Sequence, residues 1–158
     1  MGRLFVALAT LGPIGRKLPA PGTWGSLAGL LYFTVFFWHA GWPQVLVASV
    51  IGVAVAAFVC GAAEVFLGKK DPGSIILDEF IAMPLCFLGW SQLLSRWPAW
   101  AVLLAGFALF RVYDIAKPFG IKRLQRIRGG WGVVVDDLVA ALVACATLHV
   151  LVRLLAVR

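Results

Sequence analysis

Five long apolar stretches follow one another along the chain, separated by short segments rich in polar residues, proline and glycine. They cover residues 23–40, 43–67, 74–94, 98–117 and 131–155. A helix needs about 20 apolar residues, with a range of about 17 to 25, to cross the hydrocarbon core of a membrane. The last four stretches have that length, and the first is marginal and could form a short or tilted span. The pattern predicts an all-α integral membrane bundle of about four to five transmembrane helices, forming a single membrane-embedded domain over residues 1–158.

Three prolines mark where these predicted helices begin and bend. Pro43 and Pro98 stand at the starts of two stretches, where the missing N–H of proline costs nothing. Pro84 falls inside the third stretch. Because proline removes a backbone hydrogen bond and clashes with the preceding turn, we expect a kink there.

The composition supports the membrane class and excludes several others. Apolar residues make up 62% of the 158 residues and charged residues only 13%, against about 25% charged in an ordinary soluble domain. The net charge is +7, but no basic helix is interleaved with aromatic residues, so nucleic acid is not an expected partner. The three cysteines lie in apolar runs without a CxxC pair and are interpreted as small buried hydrophobes. The N-terminus has no small-residue cleavage site in good context, so no signal peptide is predicted.

The distribution of basic residues orients the bundle. With the N-terminus inside and five alternating spans, the inside segments are 1–22, 68–73 and 117–130. These segments hold ten basic residues, and the outside segments hold three. The ten are Arg3, Arg16, Lys17, Lys69, Lys70, Lys117, Lys122, Arg123, Arg126 and Arg128, and the three are Arg96, Arg153 and Arg158. This excess follows the positive-inside rule for cytoplasmic loops.

The acidic residues fall at the same end of the predicted bundle. All seven lie at or near the inside ends of the stretches: Glu64, Asp71, Asp78, Glu79, Asp114, Asp136 and Asp137. With a rise of about 1.5 Å per residue, the five in the last three stretches lie at a similar depth, roughly 5 to 9 Å below the inner surface. The topology therefore predicts that these carboxylates converge.

Such a cluster needs a compensating charge. A carboxylate at the centre of a span costs about 2.5 to 3.5 kcal/mol, less near an end, and neighbouring like charges repel. Mg2+ takes oxygen ligands and commonly bridges carboxylates to a substrate phosphate. We therefore predict a magnesium site whose ligands are Asp78, Glu79, Asp114, Asp136 and Asp137. The alternative, solvation of charges at the membrane edge, explains Asp71 well but adjacent acidic pairs poorly.

Basic and hydroxyl groups surround the predicted metal site. Arg111 lies three residues before Asp114 on one helix face, and Lys117 lies one turn further on. Thr23 is expected to cap the first helix, with Ser26 three residues later; free N–H groups at a helix start bind anions, although simple capping explains both residues equally well. The loop after Lys117 adds further cations, which suit an anionic phosphorylated substrate or a lipid-surface patch. They are Lys122, Arg123, Arg126 and Arg128.

Four stretches in order carry a family resemblance: "APGTWGSLAG" (20–29), "DPGSIILDEFIAM" (71–83), "FRVYDIAKPFGIKRL" (110–124) and "GGWGVVVDDLVAAL" (129–142). Together they resemble phosphatidylglycerophosphatase A, a family of bacterial lipid phosphatases. The resemblance implies Mg2+-dependent removal of the terminal phosphate from the lipid substrate phosphatidylglycerophosphate, giving phosphatidylglycerol in phospholipid biosynthesis. It also implies a multi-pass protein of the bacterial inner membrane. Gln125 departs from the acidic residue that family members often carry in that loop.

The residues suggest a mechanism by elimination. No Cys-x5-Arg or Asp-x-Asp-x-Thr motif supplies a covalent nucleophile, so attack by a metal-activated water is the simplest hypothesis. One of Asp78, Glu79, Asp136 and Asp137 would serve as general base, and an aspartyl-phosphate intermediate stays open. Arg111 and Lys117 would stabilise the charge that develops on the phosphate, and Thr23, Ser26 and nearby N–H groups would hold it.

Two other functions fit an intramembrane carboxylate cluster. A CDP-alcohol phosphotransferase also uses aspartate-bound metal, but its long D-G-x2-A-R…G-x3-D-x3-D motif is absent. A cation transporter or channel would carry polar groups across the whole membrane, whereas the other half of this predicted bundle is apolar. The sequence does not set the oligomeric state.

Overall fold

The computed structural model describes residues 1–127 and 129–155, with the side chains of residues 119, 122, 125 and 126 outside that description. Within these ranges the chain forms helices and no strand. The α-helices are α1 (Gly2–Ala9), α2 (Ile14–Lys17), α3 (Pro21–Phe36), α4 (Trp42–Leu67), α5 (Leu77–Ala82), α6 (Trp90–Leu94), α7 (Ala99–Ala116) and α8 (Trp131–Leu154), and two 3-10 helices cover Met83–Phe87 and Pro118–Arg126.

Three helices in the described part of the chain are long and apolar enough to cross a membrane. They are α4 with 26 residues, α7 with 18 and α8 with 24. Helix α3, at 16 residues, falls below the length of a typical span. The predicted fold class, an all-α membrane bundle, is confirmed.

The third apolar stretch is not one continuous helix. It divides into α5, the 3-10 helix Met83–Phe87 and α6. Pro84 occupies the start of the 3-10 helix, where it cannot supply the N–H that an α-helix would need. Gly89 then takes a φ of 76° before α6 begins, a conformation that glycine adopts without steric cost. The predicted kink is therefore a full break.

The broken segment still follows α8 from one end of the bundle to the other. At one end Asp78 lies beside Asp137. Further along, the backbone oxygen of Leu88 lies 2.7 Å from Nε2 of His149. At the far end Nε1 of Trp97 donates a hydrogen bond to the oxygen of Leu155, at 3.1 Å. The segment thus runs parallel to α8, as the alternating topology requires.

Two short helices occupy the N-terminal segment that the sequence pattern assigned to a loop. Helix α1 packs on α4 through the rings of Phe5 and Phe58, whose centroids are 5.6 Å apart. The backbone oxygen of Ala9 accepts a hydrogen bond from the N–H of Ile76 at 2.9 Å. This bond ties α1 to the start of α5.

The apolar core has two clusters of buried residues, and the larger one is rich in aromatic side chains. Phe33, Phe87 and Phe110 are fully buried there, and the ring centroids of Phe33 and Phe87 are 4.6 Å apart. The cysteines are free and buried, in agreement with their interpretation as hydrophobes; they are Cys60, Cys86 and Cys145.

A pair of glycines brings the start of α8 against α4. A Cβ at Gly130 would lie 1.8 Å from the backbone oxygen of Ala57 and 2.6 Å from the backbone nitrogen of Gly61. No real side chain tolerates such distances, so the close approach of the two helices depends on glycine. This contact fixes the depth and direction at which α8 enters the bundle.

Candidate functional site

Five carboxylates from α5, α7 and α8 are buried at one end of the bundle. They are Asp78, Glu79, Asp114, Asp136 and Asp137, with exposed fractions between 2% and 9%. These are the residues that the sequence predicted to lie at one depth, and the structure brings them together. Buried carboxylates require partners that offset their charge or their lost hydration.

Three of the five form a compact triad. Asp78, Glu79 and Asp137 each offer one carboxylate oxygen, and these oxygens lie within 4.8 Å of one another. Oδ1 of Asp78 and Oε2 of Glu79 are buried and lack a hydrogen-bond partner within the described part of the chain. Unpartnered oxygens from several carboxylates are the donor set that Mg2+ prefers, and Mg2+ usually completes its six ligands with water and substrate phosphate. The triad therefore fits a magnesium ion.

The other two carboxylates have cationic partners. Oδ2 of Asp114 lies 2.6 Å from Nη1 of Arg111, and its Oδ1 lies 3.7 Å from Nζ of Lys117. Lys117 also forms an ion pair with Oδ2 of Asp136, while Oδ1 of Asp136 is buried without a partner among the described residues. The predicted set of five ligands is thus divided into a triad, which Arg111 meets through Glu79 at 3.8 Å, and a pair held closely by Arg111 and Lys117.

Lys117 reaches both carboxylates from the residue that ends α7. Its φ of 42° is in the left-handed region, which costs a residue other than glycine about 1 to 2 kcal/mol. Pro118 follows and cannot continue an α-helix in the ordinary way. The turn places the ammonium group between α7 and α8.

Arg111 links three helices around the triad. Its Nη1 lies 3.8 Å from Oε1 of Glu79 in α5 and 3.3 Å from Oγ of Ser26 in α3, in addition to its bond with Asp114. Its Nε is buried without a hydrogen-bond partner within the described residues. The guanidinium group therefore retains a free donor next to the carboxylates.

The predicted cap of the first helix is wrong. Helix α3 begins at Pro21, after Ala20 with a φ of 51°, and no side chain caps it. Thr23 lies inside the first turn, where its N–H donates to the oxygen of Ala20 at 2.9 Å. Proline suits the first helical position because its φ is already helical and it has no N–H to satisfy. The helix therefore starts three residues earlier than a cap at Thr23 would place it.

The first turn of α3 forms one wall of the site. Oγ of Ser26 donates a hydrogen bond to the oxygen of Gly22, at 2.8 Å, and accepts one from Arg111. A Cβ at Gly22 would lie 2.3 Å from Oε1 of Glu79 and 3.2 Å from Nη1 of Arg111. Gly22 therefore leaves room for both charged groups, a role that sequence reasoning missed, although "PGTWGS" shows the glycine beside the predicted phosphate-binding residues.

Glu64 and Asp71 lie at the same end but outside the triad. The N–H of Asp71 donates to Oε1 of Glu64 at 2.5 Å. Asp71 lies in the loop after α4, where burial raises its pKa above the usual aspartate value and the negative charge of Asp136 raises it further. These two residues organise the loop that leads into α5.

The predicted loop cations are only partly described. Arg123 is exposed on the 3-10 helix Pro118–Arg126. Arg128, Arg158 and the side chains of Lys122, Gln125 and Arg126 lie outside the described residues. The part that this loop plays in headgroup recognition stays a prediction.

Comparisons with known proteins agree on one family. Residues 7–152 match the family described as phosphatidylglycerophosphatase A. A relative named phosphatidylglycerophosphatase A, from Haemophilus influenzae, is 35% identical over 127 residues, covering 80% of this chain and 75% of its own length. A relative of the same name from Escherichia coli is 32% identical over 132 residues, covering 82% of this chain and 72% of its own length.

A third relative carries a different name. A putative phosphatidylinositol-3-phosphatase from Bacteroides thetaiotaomicron is 33% identical over 131 residues, covering 77% of this chain and 76% of its own length. No solved structure matches the chain. The family match of residues 7–152 contains every residue of the site described above.

Proposed function

The chain belongs to the phosphatidylglycerophosphatase A family of phosphoric monoester hydrolases, and on that premise we propose that it releases the terminal phosphate of phosphatidylglycerophosphate in a Mg2+-dependent reaction. The observation that carries the proposal is the triad of Asp78, Glu79 and Asp137, whose buried and partly unpartnered oxygens lie next to Arg111. A site with adjacent anionic and cationic groups suits a dication bound together with a phosphate.

Asp78, Glu79 and Asp137 would hold the metal. Bound Mg2+ supplies a Lewis acid that polarises phosphoryl oxygens and lowers the pKa of water. The first turn of α5 contributes two of the three carboxylates, and α8 contributes the third. Because the carboxylates are buried and close together, they are already arranged for a cation before substrate arrives.

Arg111 would bind the phosphate. Its planar guanidinium group forms paired hydrogen bonds with phosphate oxygens, and its free Nε donor lies beside the triad. Ser26 accepts a hydrogen bond from Nη1 of Arg111 while donating its own proton to the oxygen of Gly22. Ser26 thus orients the guanidinium group, and Thr23 in the same turn is the hydroxyl that would reach the substrate.

Lys117 would stabilise the negative charge that develops during phosphate release. Its ammonium group lies between Asp114 and Asp136, so those two carboxylates hold it in place. A fixed cation of this kind needs no reorganisation when charge shifts to the leaving oxygen. The pair of acids outside the triad therefore has a positioning role.

The site would meet its substrate at the cytoplasmic surface of the bacterial inner membrane. Lys69 and Lys70, in the loop after α4, lie at the same end of the bundle as the triad, which follows the positive-inside rule. The acyl chains of the lipid would stay in the bilayer beside α4, α7 and α8, while the headgroup reaches the buried carboxylates. A cation path is not supported, since fully buried apolar side chains such as Phe33 and Phe87 fill the described interior beyond the carboxylates.

A phosphate-release assay tests this function. Purified protein in detergent is given phosphatidylglycerophosphate, with Mg2+ or with a chelator, and inorganic phosphate is measured. We expect release that requires Mg2+ and is restored when Mg2+ is returned in excess. Phosphatidylinositol 3-phosphate serves as the comparison substrate, because one relative is named for it. Release from that lipid alone, or equal release in the chelator, would contradict the proposal.

Replacing Arg111 is expected to impair turnover without removing the metal. Arg111→Gln should lower the rate of phosphate release by about 10- to 150-fold, since a hydrogen bond to a charged group contributes about 1.5 to 3 kcal/mol. Mg2+ binding should persist, because Arg111 is not a ligand. Arg96→Gln is the control, since that arginine is exposed at the opposite end. A rate within twofold of wild type for Arg111→Gln would exclude a phosphate contact.

A further inference from the structure

A cavity of about 480 Å³ lies at the inner end of α4, on the side that faces α1 and α2. Its volume is within the range of about 300 to 1,000 Å³ that is typical of ligand sites. The residues that line it are Arg3, Val6, Arg16, Phe66, Leu67 and Ser74. None of them belongs to the carboxylate site.

The cavity carries charge of one sign. Arg3 and Arg16 are exposed, and no acidic side chain is among the residues that line it. Within the described residues, neither guanidinium group forms an ion pair with a carboxylate. Two arginines held at one opening without an acidic partner are complementary to an anion.

The rest of the cavity is apolar and continues onto a surface suited to lipid. Phe66 is 55% exposed, at the last turn of α4. On the adjoining helix α1, Leu4 and Leu8 are 61% and 48% exposed. Because α4 is long enough to span the membrane, its last turn lies where phospholipid phosphates meet the chain. A cationic opening above apolar side chains at this depth matches the two parts of a phospholipid.

A packed segment separates this cavity from the carboxylates. Ser74 lines the cavity, and two residues later the N–H of Ile76 donates to the oxygen of Ala9. On the other side, a Cβ at Gly15 would lie 2.2 Å from the oxygen of Ser74. The contact with α2 and the hydrogen bond to α1 hold this strip of backbone in place as a wall between the two sites.

We propose that this cavity binds an anionic phospholipid, with the lipid phosphate between Arg3 and Arg16 and the acyl chains against Phe66 and the exposed leucines of α1. Arginine pairs with phosphate through parallel N–H bonds. The apolar wall selects a lipid over a free anion. The proposal concerns a second site and does not depend on the catalytic activity.

Lipid titration with four variants tests the proposal. Phosphatidylglycerol or phosphatidylcholine is added to detergent-purified protein, and bound lipid is counted by native mass spectrometry. We expect phosphatidylglycerol to bind more tightly than phosphatidylcholine, and the double variant Arg3→Gln with Arg16→Gln to weaken its apparent affinity by about tenfold or more, the effect of losing about 1.4 kcal/mol. The control is Lys17→Gln with Lys69→Gln, which removes the same charge at the same end from side chains outside the cavity, and should stay within about twofold of wild type.

Arg111→Gln distinguishes this site from the carboxylate site. If phosphatidylglycerol occupies the carboxylate site instead, Arg111→Gln will weaken binding and the Arg3 and Arg16 variant will not, which overturns the proposal. Equal loss in the lysine control would show general surface attraction and would also overturn it. Full competition by millimolar inorganic phosphate would identify a free-anion site and contradict a lipid site.

A second arginine variant keeps the test decisive if the glutamine variant does not fold. Arg3→Lys with Arg16→Lys retains both charges but loses the planar guanidinium groups. We expect it to bind phosphatidylglycerol several-fold more weakly than wild type. Unchanged affinity in this variant would contradict the proposed arginine–phosphate contacts.

Discussion

Asp137→Asn is expected to abolish Mg2+-dependent phosphate release, lowering the rate by more than about 100-fold. Loss of a residue that merely supports a metal ligand costs about 10- to 100-fold, and Asp137 is proposed as a ligand itself. It is buried and is the single contribution of α8 to the triad with Asp78 and Glu79. Without it, two carboxylates on one short helix would remain to hold the ion.

Thermal unfolding separates this effect from misfolding. In the metal-free protein, Asn at position 137 removes one of three neighbouring negative charges, so we expect an unfolding temperature equal to or above that of wild type. Added Mg2+ should stabilise wild type, because it binds the folded state, and should leave the variant unchanged. Asp71→Asn is the control, since Asp71 has a φ of 44°, which asparagine also accepts. Full activity of Asp137→Asn would exclude the proposed ligand role.

Gly130→Ala is expected to destabilise the bundle and to disable the site from a distance. The added methyl would lie 1.8 Å from the backbone oxygen of Ala57 and 2.6 Å from the nitrogen of Gly61. Because these are backbone atoms, α8 must move away from α4, and overpacking of this kind costs about 1 to 3 kcal/mol or more. Asp137 lies two turns along the same helix and would be displaced with it.

Unfolding and activity measurements on matched alanine variants check this expectation. We expect Gly130→Ala to unfold at a lower temperature and to lose most of its phosphate release. Gly73→Ala is the control, since no atom lies within 4 Å of its Cβ position and its φ is not in the left-handed region. Equal stability of the two variants would contradict this expectation, because it would mean that α4 and α8 can accommodate the added methyl group without moving apart.

The depth of the carboxylates was predictable from the sequence because depth follows from counting residues. Once the stretches alternate across a membrane, Asp78, Asp114 and Asp137 must lie near the same surface. The pairing of Arg111 with Asp114 was equally predictable, since residues three apart share a helix face. In the structure Nη1 of Arg111 lies 2.6 Å from Oδ2 of Asp114.

The division of the carboxylates into two groups was not predictable in the same way. Asp136 and Asp137 are adjacent in sequence and therefore point about 100° apart around α8. Which of them meets α5 and which meets Lys117 depends on the rotation of α8 about its axis. That rotation is set by close contacts such as the one between Gly130 and Ala57. A single sequence does not show which residues of two helices meet, so the rotation could not be predicted.

Local backbone chemistry accounts for the other differences. Pro84 predicted a kink, but the full break also required the left-handed turn at Gly89, whose conformation is invisible in an apolar run. Thr23 has the right side chain for a cap, yet Pro21 sets the helix start three residues earlier than that cap would. Helix α1 has only eight residues, too few to cross a membrane. Counting apolar residues for membrane spans therefore did not detect it, and residues 1–22 were assigned to an inside segment.

Calorimetric titration of Mg2+ into metal-free protein tests the central claim most directly. The claim is that Asp78, Glu79 and Asp137 together bind the ion, and it does not require turnover. We predict saturable binding to wild type and to Arg111→Gln, and loss of that binding in Asp78→Asn and in Glu79→Gln. Binding of unchanged affinity and stoichiometry in either carboxylate variant would contradict the claim.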